Sequence, residues 1–134
     1  MLLGARSRRR TDGVKKRLVI GVWEVAPGIA VLRIKGTVAK WDIDSLTAAV
    51  DGLFARGIYR IAIDLGGTDL VASGVFGCFF TFADQASRNG GQVVFAAVPD
   101  IVRIVFERLG IIEMFHFAAD VDSAVKELAA GSKK

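Results

Sequence analysis

The sequence has 134 residues, enough for one hydrophobic core and too few for two independent domains. Apolar residues make up 52% of it and charged residues 24%, which excludes a disordered chain, and no apolar run reaches the roughly 18 unbroken residues that would read as a membrane span. The formal net charge of +4 is unevenly spread: Arg6, Arg8, Arg9, Arg10, Lys15, Lys16 and Arg17 against Asp12 put +6 on residues 1–17, leaving residues 18–134 at −2.

Residues 1–17 show no apolar period and are expected to form a flexible basic N-terminal tail; they carry no aromatic residue for base stacking, so nucleic acid is not the expected partner. The opening Met1-Leu2-Leu3-Gly4 precedes the charges, the reverse of a secretory signal, and a cytoplasmic protein is expected. Order should begin at Leu18. The β-branched run Leu18–Val25, the turn Ala26-Pro27-Gly28 and the run Ile29–Gly36 read as a β-hairpin. Asp42-Ile43-Asp44-Ser45 then opens a helix, with Asp42 or Asp44 as cap and Leu46, Ala49, Val50, Leu53 and Phe54 on its apolar face.

Arg56-Gly57 stops that helix, and Tyr59–Leu65 is a buried strand. A helix from Ser73 to Asn89-Gly90-Gly91, a strand Gln92–Val98, a helix from Pro99-Asp100 to Leu109-Gly110, a short strand near Met114–Phe117 and a last helix opened by Asp120 or Asp122 complete the chain. The order is ββαβαβαβα: an α/β fold with a mixed sheet flanked by helices, in one domain over residues 18–130 with a C-terminal tail at 131–134.

Catalytic chemistry is hard to place in this sequence. His116 is the single histidine, set in an aromatic run with no orienting partner in the sequence, and Cys78, the single cysteine, sits in the apolar Phe76–Phe80 where a small buried role is expected. No disulfide within the chain and no cysteine metal cluster can form. Gly66-Gly67 follows a strand, but neither GxGxxG nor GxxxxGK[ST] is present. Asp64 and Asp69 lack companion ligands, so no metal and no cofactor is assigned, and the protein is not expected to be an enzyme.

The most informative stretch is Ile61–Gly77: strand, a loop over residues 66–74, then small residues at a helix start. Ser73 is the expected N-cap, and the free N–H groups beside it would receive an acidic side chain or a phosphoryl group, or capping alone is its role. Beyond it, Val75, Phe79, Phe82 and Ala86 form one ridge and Phe76 and Phe80 another. One ridge is expected on the sheet and the other on a docking surface, unless the core takes both.

At these residues the chain resembles the STAS family (sulfate transporter and anti-sigma factor antagonist), which has the same element order and a segment of the form DLxxxxxxDSSGLG. Asp64-Leu65 matches its start, and Ala72-Ser73-Gly74-Val75-Phe76-Gly77 falls without a gap on DSSGLG. Gly36, Gly90-Gly91 before Gln92–Phe95, and Val105–Ile111 ahead of Met114-Phe115 agree in order and spacing.

The resemblance implies a non-catalytic protein that binds an anti-sigma factor, a serine kinase or a related signalling protein, through Asp69, Ala72, Ser73, Gly74, Phe76 and Phe80. It also implies phosphorylation at the second serine of the motif, where this chain has Gly74, with Ala72 replacing the aspartate. Ser73 is the remaining candidate acceptor, and the usual serine switch is expected to be degenerate. The alternatives are a small-ligand or nucleotide-binding module, a scaffold subunit of a larger signalling complex, and a homodimer that buries the aromatic excess of the helix from Ser73.

Overall fold

A computed structural model of the protein describes residues 17–131. The expected tails fall largely outside them, at residues 1–16 and 132–134.

The order ββαβαβαβα is realised as β1 (Val19–Ala26), β2 (Ile29–Val38), α1 (Ile43–Ala55), β3 (Arg60–Val71), α2 (Val75–Arg88), β4 (Gln92–Ala96), α3 (Asp100–Arg108), β5 (His116–Ala118) and α4 (Val121–Gly131). One 3-10 turn, Lys40–Asp42, leads into α1 and another, Ile112–Met114, leads into β5. The five strands lie in spatial order β1-β2-β3-β4-β5, with β1 antiparallel to β2 and the other pairs parallel.

The sheet grows in one direction from β2 to β5, and right-handed crossovers then place every connecting helix on the same face. Leu46, Val50 and Leu53 of α1, Val75, Phe76, Phe79 and Phe82 of α2, and Val102 and Phe106 of α3 bury themselves there against Leu32, Ile34, Ile61, Ile63 and Phe95. The helix α4 follows the last strand and is free of that constraint. It covers the other face, where Ala124 and Leu128 meet Ile29, Val31, Ala62, Val94 and Ala96.

The caps are partly those expected. Asp120 closes the first turn of α4, its Oδ1 accepting the Ser123 N–H at 2.8 Å, and that hydrogen bond lowers its carboxyl below the usual range. Asp42 precedes α1 as expected, yet its side chain does not cap that helix; its Oδ2 reaches back to the Ala39 N–H at 2.8 Å and closes the 3-10 turn.

The third strand departs from expectation. Two thirds of the segment read as a loop over residues 66–74 is strand, because β2 continues to Val38 and offers it a ladder: Lys35 pairs with Gly67, Gly36 with Thr68, Thr37 with Leu70 and Val38 with Val71. Register shifts between Arg33 and Lys35 and between Gly36 and Thr37 absorb the irregular spacing. Gly36 has a φ of +94°, and a Cβ there would collide with the Arg17 carbonyl, so this crossing of the incoming chain over the bulge requires glycine.

Candidate functional site

The exposed residues of the β3–α2 junction come from three elements. The end of β3 brings Asp69 and Leu70, the turn brings Ser73 and Gly74 with Ala72 half-buried against the core, and the 3-10 turn after β2 brings Lys40 and Trp41. They are held together by the ladder that carries Leu70 beside Thr37, by the Ala72 N–H donating to the Val38 carbonyl at 2.9 Å, and by the approach of Lys40 to Gly74.

Ser73 is exposed, but it is not the cap of α2. The capping position belongs to Gly74, and no side chain caps the helix. The backbone already turns helically at Gly74, with φ −64° and ψ −20°, so the first helical N–H groups find carbonyls: Val75 donates to Ala72 at 2.9 Å and Phe76 to Ser73 at 3.2 Å. The Ser73 hydroxyl is thus not needed to start the helix. A Cβ on Gly74 would meet nothing nearer than the Lys40 Cβ at 4.0 Å, so neither backbone nor space demands glycine there.

The carboxylates expected at the ends of this segment separate in role. Asp64 is buried: its Oδ2 pairs with Arg33 Nε at 2.8 Å and its Oδ1 accepts the Gly66 N–H at 2.9 Å, which fastens β3 to β2 just before the glycines. Thr68 is buried beyond it, its hydroxyl donating to the Leu65 carbonyl at 2.7 Å. Asp69 is exposed. Among the described residues no three His, Cys, Asp or Glu side chains cluster as metal ligands.

The Phe76–Phe80 ridge is divided by the packing. Phe76 is only 1% exposed, its ring edge-on to Phe106 at 4.6 Å and to Phe79 at 5.7 Å. Phe80 is 43% exposed and touches Phe115 edge-on at 6.5 Å. Four residues turn a helix only about 40° past a full turn, so they share a ridge, but α3 overhangs the first turn of α2 and covers Phe76 alone. Phe76 therefore belongs to the core and is withdrawn from the docking residues. The ridge of Val75, Phe79, Phe82 and Ala86 lies buried, as one of the two was expected to.

Phe80 instead borders a groove of about 500 Å³ with Arg60, Gln92, Phe115 and His116. This groove lies at the first residues of β3, β4 and β5, the opposite end of the parallel strands from Ser73 and Gly74. Cys78 is half-buried, and burial pushes its thiol up to about 11, so it is protonated and unreactive near neutrality.

Two exposed residues at the junction were not singled out from the sequence. Trp41 is 75% exposed and Leu70 48%. A tryptophan between Lys40 and Asp42, just ahead of a capping aspartate, was the available signal, since a core tryptophan is not expected in a polar turn.

A mixed sheet with three crossover helices on one face and its exposed small residues at the β3–α2 junction defines a small one-sheet α/β domain. The chain belongs to the STAS domain family, whose model matches residues 22–124. No curated protein matches it significantly. Among solved structures it resembles the anti-sigma factor antagonist SpoIIAA in its unphosphorylated form, at 14% identity over 84% of this chain and 97% of that one, with a TM-score of 0.73. An anti-sigma factor antagonist from Mycobacterium paratuberculosis matches at 15% identity over 84% and 95%, TM-score 0.75. RsbS of Moorella thermoacetica, in a serine-to-glutamate variant, matches at 15% identity over 86% and 98%, TM-score 0.68. These likenesses establish the fold. No helix among the described residues is long and apolar enough to cross a membrane.

Proposed function

We propose that this protein is a non-catalytic cytoplasmic docking domain that binds an anti-sigma factor, a serine kinase or a related signalling protein through the β3–α2 junction, and that it lacks the usual serine switch. Membership of the STAS family, the anti-sigma factor antagonists among its structural neighbours and the exposed apolar residues Trp41 and Leu70 beside Ser73 support the docking surface.

The observation that carries the missing switch is the geometry of Gly74. It stands where the motif places the phosphorylated serine, in ordinary helical backbone, exposed, with room for a side chain. Steric demand does not explain the glycine there, so what the substitution removes is the hydroxyl. A phosphoryl group brings about −1.5 to −2 charges to a helix start, enough to change partner affinity by repulsion and desolvation. Without an acceptor, the domain stays in its binding-competent form.

Incubation with the partner kinase and ATP, followed by intact mass, tests this. The natural chain should take up no phosphate and Gly74→Ser should take up one. Stoichiometric phosphate on Ser73 of the natural chain overturns the reading.

A further inference from the structure

The first strand presents a surface that the docking reading does not use. It is the outer strand of the sheet, and Val19, Val22, Trp23 and Val25 are all exposed on it. An edge strand offers a row of N–H and C=O groups to any other strand, and proteins usually guard it with lysine, proline, a charge or a covering helix. Val19–Ala26 has no lysine and no proline. Its one charge, Glu24, is occupied elsewhere: the carboxylate accepts the Gly28 N–H at 2.9 Å and pairs with Arg56 Nη2 at 3.2 Å. The helix on the Trp23 face, α4, packs on β2, β3 and β4 and reaches β1 only at its last residue, Ala26.

We propose that β1 pairs antiparallel with β1 of a second copy of this chain, about a two-fold axis through Val22, to make one continuous ten-stranded sheet. The strand complements itself in that register. Val22 faces Val22 of the second copy, Val19 faces Val25, Ile20 faces Glu24, and Gly21 faces Trp23, so the only charge never meets its equivalent. The glycine matters most. The Trp23 indole lies over Gly21 of its own strand, where a Cβ would stand 3.6 Å from the ring, and the Arg33 guanidinium sits 4.9 Å from the indole centroid. An aromatic side chain beside a strand glycine covers backbone that would otherwise face water. Each indole then lies over the Gly21 of its own strand and beside the indole of the second copy.

Other registers fit less well. Centring on Gly21 sets glycine against glycine and shortens the overlap, and centring on Trp23 draws in the break in register between Glu24 and Ala26. Pairing of about seven residues makes an interface smaller than the standard size, so the association is weak and depends on concentration.

Sedimentation equilibrium of the full chain should show the mass rising from monomer to dimer with concentration. Val22→Lys, which sets two ammonium groups face to face at the axis, should remain monomeric, while Ile104→Lys, an exposed change on α3, should dimerise like the natural chain. In the natural chain, amide exchange over residues 19–25 should slow as concentration rises while exchange elsewhere holds constant, a readout that does not depend on any variant folding. A monomer at every concentration, a dimer that survives Val22→Lys or is lost with Ile104→Lys, or concentration-independent exchange in β1 overturns the proposal; a foreign strand added at the same edge would leave the purified chain monomeric.

Discussion

Ala97 shows how much a single residue can be held against its own preference. It follows β4 directly with φ +55°, the left-handed region, and its Cβ would stand 3.1 Å from a Cβ on Gly66. An L-residue with a Cβ there costs about 1–2 kcal/mol relative to the right-handed form. The Ala97 N–H donates to the Ala118 carbonyl at 3.2 Å, which holds the conformation. Ala97→Gly should therefore stabilise the domain by about 0.5–1 kcal/mol, the left-handed relief less the extra entropy of a free glycine. A shifted urea midpoint at unchanged slope measures it, and a loss of stability would contradict the positive φ. Gly74 is the converse case, a glycine in a conformation any residue adopts, and it is there that chemistry, not backbone, distinguishes the residue.

At the scale of the element, α2 carries the argument. Its aromatic excess was legible in the sequence, but which rings the core would take depends on α3, thirty residues later, lying over the first turn. Phe76, Phe79, Phe95 and Phe106 form one linked set of ring contacts. Phe76→Ala should cost about 3–5 kcal/mol, the usual loss for emptying a buried aromatic site, while Phe80→Ala, with its ring half in solvent, should cost under about 1 kcal/mol. Chemical denaturation of the two variants side by side tests the contrast; equal losses would mean that α2 is rotated from its place here. A charged residue at Phe76 would unfold the domain and is no probe of docking.

For the whole molecule, the proposed docking surface brings together the end of β3 and the β2–α1 and β3–α2 connections, which meet only because β2 and β3 run parallel and extend to Val38 and Val71. Trp41 reaches it from the β2–α1 connection, thirty residues before Leu70 and Gly74. Buried tryptophans commonly dominate interfaces, worth about 2 kcal/mol or more on truncation. Trp41→Ala should then weaken partner binding by about 30-fold or more while leaving the thermal transition unchanged. Calorimetry with the purified partner would show it, and undiminished affinity would remove Trp41 from the surface.

The order of the elements and the family resemblance were determined by the sequence alone, because apolar periodicity, turn glycines and the run from Asp64 to Gly77 are local signals. The length of β3 was not legible, since strand continues past Gly66-Gly67 only where β2 supplies a ladder. Nor was the role of Ser73, because the Ala72 and Ser73 carbonyls, each three residues back, took the helical N–H groups that its hydroxyl was expected to take. The exposed face of α2, the partner of Asp64 and the outer position of β1, uncovered among the described residues, were decided by tertiary structure, which alone sets what lies over a ridge, beside a carboxylate or next to an outer strand.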